Sequence, residues 1–141
     1  MVNLTINGKP VTVPEGTTLL DAAKSVGIEI PSLCYLKNVH QYGSCRICVV
    51  EVEGMRNLQA SCITKVREGM VVHTNSAKVR KNRKILYELM LSNHSKDCLS
   101  CDRNQTCELQ ALGEKLGVTE CRLEGERGEC HVDISPSITR D

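Results

Sequence analysis

The sequence predicts an α+β fold, with a small sheet crossed by one helix in the first half of the chain and helices in the second. Polar and apolar residues alternate in "VNLTIN" and again in "VTV", a period of two that is typical of strands. From Ser76 onward, by contrast, apolar residues recur at helical spacing. The chain has 141 residues, enough for one ordinary domain or two very small ones.

The N-terminal part predicts a hairpin followed by a helix. The first strand covers residues 2–7, and the returning strand covers residues 11–13. Thr18 with Asp21 three residues later is a helix-start signature, and it precedes "LLDAAKSVG". Gly27 is the predicted end of this helix, because glycine readily adopts the conformation that closes a helix.

Three further strands are expected before residue 75. The Val-rich run 47–53 leads through a glycine turn to a shorter strand near 58–61, and "GMVVHT" supplies a closing strand. Hairpin, helix, hairpin and closing strand together predict a sheet with one helix across it, ending near Thr74.

The C-terminal part predicts two helices and a connector. The first helix follows Ser76, and its period rests on Val79, Leu86, Leu89 and Met90. A second helix covers residues 107–116 and ends at Gly117. The remainder is charged and contains glycine, so we expect an extended connector with a short strand or two.

Composition favours metal as a source of stability. Aromatic residues make up only 2 % of the chain, whereas there are nine cysteines. A chain poor in apolar bulk often depends on metal or disulfide cross-links. The start lacks the basic and apolar segments of a secretory signal, so we expect a cytoplasmic protein with reduced thiols, in which metal binding is favoured over disulfides.

Charge and hydropathy exclude some partner classes. The net charge is only +1, and no apolar stretch approaches membrane-spanning length. We therefore expect neither a nucleic-acid partner nor insertion into a membrane.

The first set of candidate ligands is Cys34, Cys45, Cys48 and Cys62. Two thiolates separated by two residues can occupy adjacent positions on one metal unit, so Cys45 and Cys48 form a clip. A zinc ribbon usually has two such clips, whereas plant-type [2Fe–2S] ferredoxins have one clip and a distant cysteine. The single clip favours [2Fe–2S], and zinc remains the alternative.

The second set is His94, Cys98, Cys101 and Cys107. These four residues lie within fourteen positions, and the spacing suits a zinc site of three cysteines and one histidine. It suits equally well a [4Fe–4S] cluster held by three thiolates and one imidazole. A third interpretation leaves His94 as a helix-terminal histidine that interacts with the dipole of its own helix.

Both sets together resemble a known group of proteins. "IPSLCYL", "GSCRICVVEV" and "ASC", followed by the His/Cys set, are similar to the N-terminal region of [FeFe]-hydrogenases over residues 1–117. The same motifs resemble the large iron–sulfur subunit of NADH dehydrogenase and the amino end of some NAD-linked formate dehydrogenases. The resemblance implies a β-grasp ferredoxin-like domain that holds [2Fe–2S] through the first set, and a helical domain that holds [4Fe–4S] through the second.

The resemblance also implies a function and a domain organisation. We expect an electron-transfer module with a ferredoxin-like domain at residues 1–75, a His/Cys domain at 76–117 and a connector at 118–141. No catalytic centre is evident in these residues, so we expect the module to serve a larger oxidoreductase, an [FeFe]-hydrogenase subunit. The implied partners are downstream iron–sulfur and catalytic domains and a flavin subunit that handles NAD(P)H. A formate or NADH dehydrogenase parent, or a zinc-stabilised interaction module, are the alternatives.

Two features lie outside these motifs. The segment "KVRKNRK", residues 78–84, holds five basic residues, and it predicts a solvated helix face, a dock for an acidic partner or a charge that offsets the clusters. Cys121 and Cys130 belong to neither set, and ordinary free thiols are the simplest interpretation of both.

Overall fold

The fold is described from a computed structural model over residues 1–39, 41–95, 97–123, 125, 133–134 and 139–140. Of residues 133–134 and 139–140 only the backbone is described. Elements are numbered in chain order, and their bounds follow below.

A five-stranded sheet forms the first unit. Its strands are β1 (Val2–Ile6), β2 (Lys9–Val13), β3 (Val49–Val52), β4 (Gln59–Ala60) and β5 (Val71–His73). Their spatial order is β2-β1-β5-β3-β4. β1 pairs with β2 as an antiparallel hairpin and with β5 as a parallel neighbour, in which Thr5 lies beside Val71. The expected α+β class is therefore confirmed, and the strand positions follow the predicted order.

Helix α1 (Leu19–Ser25) crosses one face of this sheet. Thr18 is its N-cap, and its hydroxyl accepts a hydrogen bond from the backbone N–H of Asp21 at 3.1 Å. The Asp21 carboxylate accepts from the Tyr35 hydroxyl at 2.9 Å. Apolar residues of the helix and of the strands form one continuous core, which includes two of the candidate ligands, Cys48 and Cys62.

Two helices follow the sheet. Helix α2 (Ala77–Ser92) begins after the N-cap Ser76 and packs against β3. Helix α3 (Glu108–Leu116) begins after Cys107 and ends at Gly117, which has a left-handed φ of 62°. The start of α2 and both ends of α3 lie within one residue of their predicted positions. The short strands β6 (Asp133–Ile134) and β7 (Thr139–Arg140) pair with each other in the connector.

The buried face of α2 differs from the one that its apolar period indicated. Its buried residues are Val79, Arg83, Tyr87 and Glu88, whereas Leu89 is 51 % exposed. The prediction of a solvated basic face for residues 78–84 is therefore wrong at Arg83. The spacing of Val79, Arg83 and Tyr87 is one helical turn, so a single stripe faces the sheet and the stripe contains a charge.

Candidate metal centres

The first set of cysteines comes from two loops at one end of the sheet. Cys34 and Cys45 lie in the long connection between α1 and β3, Cys48 directly precedes β3, and Cys62 follows β4. Cys48 and Cys62 are fully buried, while Cys34 and Cys45 are half-buried. The site therefore has an inner side within the core and an outer side near solvent.

The clip between Cys45 and Cys48 is a tight turn with an unusual backbone. Arg46 has a φ of 59°, a left-handed conformation that is uncommon for a residue with a side chain. The N–H of Val49 donates to the carbonyl of Arg46 at 3.2 Å, which closes the turn. The Arg46 side chain is exposed, as expected for a surface charge. Such local strain concentrates at functional sites, where the surrounding structure holds it in place.

The four sulfur atoms act on one another electrostatically. Burial alone would raise the pKa of Cys34. Hydrogen bonds from Cys45 and Ser44 to its sulfur have the larger combined effect, so the pKa is lowered. The N–H of Cys45 lies 3.5 Å from the Cys34 sulfur. Burial, together with the neighbouring sulfurs of Cys48, Cys34 and Cys45, raises the pKa of Cys62 to about 12. The fold thus brings the complete first set together and aims backbone donors at one of its sulfurs.

The second set is arranged by the segment between α2 and α3. His94 follows the end of α2, where its N–H donates to the carbonyl of Leu91 at 3.1 Å. Cys98 opens a single 3-10 turn, Cys101 follows that turn, and Cys107 is the N-cap of α3. His94 and Cys101 are exposed, and Cys98 and Cys107 are half-buried.

All four residues of the second set line one cavity of about 490 Å³. A water molecule takes up about 30 Å³ of the liquid, so the cavity suits a group of several heavy atoms. Tyr87, Leu91 and Val118 form part of its apolar wall. Burial raises the pKa of Tyr87, and the negative charges of Cys107, Cys98 and Cys121 raise it further. The tyrosine ring and these three sulfurs line the same cavity.

Both candidate sets consist of sulfur and nitrogen donors. The donor chemistry of both sets, thiolates with one imidazole, fits iron–sulfur clusters.

A buried apolar cluster connects the two sites. Ile47, which lies inside the clip and has no exposed surface, belongs to the same cluster as Tyr87 and Leu112 of the two later helices. The side chain of Cys45 packs against this cluster as well. Protein interior therefore continues from the first set of ligands to the wall of the second cavity.

The N-terminal part of the chain matches a family of known chemistry. Residues 1–77 match the 2Fe-2S iron-sulfur cluster binding domain. The chain belongs to this family. Residues 83–122 match the NADH-ubiquinone oxidoreductase-G iron-sulfur binding region. Both cluster types that the sequence predicts, [2Fe–2S] and [4Fe–4S], are thereby confirmed, and the chain is an iron–sulfur electron-transfer module rather than a zinc module.

Relatives of this [2Fe–2S] domain protein are parts of larger oxidoreductases. The chain is 50 % identical over its whole length to NADP-reducing hydrogenase subunit HndD of Solidesulfovibrio fructosivorans, of which it covers 25 %. It is 39 % identical over 98 % of its length to the G 2 subunit of NADH-quinone oxidoreductase from Rhizobium meliloti, of which it covers 16 %. The chain thus spans a quarter or less of these two curated relatives.

A solved structure shares the fold over almost the whole chain. It is the crystal structure of an NAD⁺-reducing [NiFe]-hydrogenase in the H2-reduced state, with a TM-score of 0.86 and 30 % identity. The match covers 95 % of this chain and 56 % of the solved one. The resemblance to hydrogenase and NADH dehydrogenase subunits that the motifs indicated is therefore confirmed.

Three residues near the sites were missed or set aside by sequence reasoning. Tyr87 forms part of the second cavity, and Arg83 is buried beside the first set. Cys121 also lines the second cavity, but its thiol donates to the carbonyls of Glu88 and Leu123 at 3.3 and 3.0 Å. The interpretation of Cys121 as an ordinary free thiol stays a prediction. Cys130 lies outside the described residues.

No helix within the described ranges combines the length and the apolar character that crossing a membrane requires.

Proposed function

We propose that the chain passes single electrons between a [2Fe–2S] cluster held by Cys34, Cys45, Cys48 and Cys62 and a [4Fe–4S] cluster held by His94, Cys98, Cys101 and Cys107. When bound, each cluster accepts and releases one electron. The work of the protein is to hold the clusters close together, exclude water from them and adjust their potentials by ligands and hydrogen bonds.

The observation that carries this proposal is the apolar cluster around Ile47. It begins at the clip of the first set and ends at Tyr87, which forms part of the second cavity. A rigid, dry connection keeps the separation of two clusters constant. Residues 1–75 would form the domain of the first cluster, residues 76–117 the domain of the second, and residues 118–141 the connector to further domains.

We propose a hydrogenase subunit as the parent protein. Identity to the hydrogenase relative is 50 %, against 39 % for the NADH-quinone oxidoreductase relative, and the solved structure of similar fold is also a hydrogenase. The relatives that handle NADP or NAD suggest a flavin subunit as an electron partner, next to downstream iron–sulfur and catalytic domains of the same chain. The eight described cysteines are unpaired thiols, which suits a reducing compartment such as the cytoplasm.

The first experiment is low-temperature EPR of anaerobically purified protein during stepwise reduction, with iron, zinc and sulfide counted on the same sample. We expect two reduced-cluster signals and about six irons per chain, the sum of one [2Fe–2S] and one [4Fe–4S]. Zinc in place of iron, or a single signal, would contradict the proposed relay.

Three variants assign the ligands. Cys62→Ser should remove only the [2Fe–2S] signal, and Cys107→Ser only the [4Fe–4S] signal. His94→Cys should keep the [4Fe–4S] signal at a lower potential, because a thiolate adds one negative charge to the cluster. An unchanged potential in that variant would exclude His94 as a ligand. Hydrogen, formate and NADH oxidation by the full-length protein then distinguish the three candidate parents.

A further inference from the structure

Arg83 is a buried cation at the contact between α2 and the sheet. It is 6 % exposed and lies on the same stripe of α2 as Val79 and Tyr87. Its Nη2 donates to the carbonyl of Val49 at 2.7 Å, the residue directly after Cys48. Its Nε is buried and has no hydrogen-bond partner. The guanidinium is thus held against the clip of the first set with part of its bonding capacity unused.

No carboxylate neutralises this charge within the described ranges. The ion pairs found there join Lys37 to Asp21, His73 to Glu53, Lys115 to Glu29, and Arg122 to Glu88. Burial lowers the pKa of Arg83 to about 10, and the negative charge of Cys48 acts in the opposite direction. A charge buried without a partner is strongly unfavourable, so a negative charge near Cys48 would stabilise this arrangement.

We propose that the [2Fe–2S] cluster is the counter-charge of Arg83, and that Arg83 in turn raises the reduction potential of that cluster and fastens α2 to the loaded domain. This inference rests on the proposed ligand set. An oxidised [2Fe–2S] core with four thiolates carries a charge of about −2, and uptake of one electron makes it about −3 without making or breaking a bond. A fixed cation nearby therefore stabilises the reduced form more than the oxidised form.

The same interaction links cluster binding to the position of the second site. Coupling between two events is reciprocal, so a cluster that is stabilised by Arg83 also stabilises the burial of Arg83. Without the cluster, the guanidinium lacks this counter-charge, and the contact between α2 and β3 weakens. His94 follows the end of α2, so loading of the first site would help to order the second.

The test is a redox titration of the complete protein, with dithionite as the reductant and EPR as the readout. Arg83→Met removes the charge, Arg83→Lys keeps it, and Lys81→Met is the matched control, because Lys81 is an exposed cation on the same helix. At the potential where the normal [2Fe–2S] cluster is half reduced, we expect Arg83→Met to lower the ratio of reduced to oxidised cluster at least tenfold. For one electron this corresponds to a midpoint about 59 mV lower. Arg83→Lys and Lys81→Met should shift the ratio much less.

A second measurement tests the proposal even if Arg83→Met binds its [2Fe–2S] cluster poorly. Hydrogen exchange along residues 77–92 is compared with and without iron, which a chelator removes under reducing conditions. Iron removal should open α2 strongly in the normal protein, and the iron-free normal protein should exchange faster along α2 than iron-free Arg83→Met, which has no charge to bury there. An equal loss of protection in both proteins overturns the proposal, and so does a potential that Arg83→Met shifts no more than Lys81→Met.

The two proposals fail in different ways. If the normal protein lacks a [2Fe–2S] signal, or if Cys62→Ser retains it, the ligand set is wrong. If both signals are present and Cys62→Ser removes only one, yet Arg83→Met behaves like the exposed control, the role of Arg83 alone is refuted.

Discussion

The contact between α2 and α3 depends on a glycine, and Gly113→Ala tests it. Gly113 is buried on α3 beside Tyr87 of α2. A Cβ at this position would overlap the Tyr87 hydroxyl and lie 2.8 Å from the ring carbon Cζ. The ring is 4 % exposed, and its hydroxyl donates to the carbonyl of Leu109 at 3.0 Å. The ring is therefore fixed from both ends and cannot give way without losing that bond.

The expected change in the free energy of unfolding is the sum of one stabilising and two destabilising contributions. Alanine is favoured over glycine in a helix by about 1 kcal/mol. Overpacking against a fixed side chain costs about 1–3 kcal/mol, and loss of the hydroxyl bond costs about 1 kcal/mol more. We therefore expect Gly113→Ala to lower the free energy of unfolding by about 2 kcal/mol. The [4Fe–4S] signal should also weaken, because Tyr87 and Cys107 both line the second cavity.

Anaerobic urea unfolding of the iron-loaded protein measures this cost, and a second background isolates its cause. In Tyr87→Leu the hydroxyl and Cζ are absent, so the same alanine meets no obstacle. There Gly113→Ala should become stabilising by up to about 1 kcal/mol, the helix preference alone. A similar destabilisation in both backgrounds would refute the contact as the cause.

Three further variants test other parts of the structure. Thr18→Ala should cost about 1 kcal/mol in urea unfolding because α1 loses its N-cap, whereas Thr18→Ser should retain most of it. Because the pKa of Cys62 is raised to about 12 in the folded, iron-free protein, the unfolded chain loses this proton first as pH rises above about 8.5. The free energy of unfolding should thus fall as pH rises from about 8.5 towards the folded pKa of Cys62, and it should fall less in Cys62→Ser. An identical dependence of stability on pH in both proteins would contradict the raised pKa of Cys62. Arg122→Ala leaves the buried Glu88 carboxylate without its cation, so this variant should lower the free energy of unfolding, and the loss should nearly vanish in the Glu88→Gln background.

Local patterns in the sequence determined the elements and the two candidate ligand sets. A period of two indicates strands, and a cap at Thr18 or a glycine at position 117 marks a helix end, because these signals act between near neighbours. The clip of Cys45 and Cys48 likewise needs only two intervening residues to be recognised. The His/Cys set lies within fourteen positions, so its spacing alone was informative.

The tertiary structure decided which distant segments meet. The parallel pairing of β1 with β5 joins Thr5 to Val71, and the burial of Arg83 depends on a carbonyl 34 residues away. A period of apolar residues could not identify the buried face of α2, because the stripe that packs on β3 includes an arginine. We propose that the charge is tolerated there for a reason outside the helix: the [2Fe–2S] cluster that the first set would hold, whose ligands only folding brings to its side.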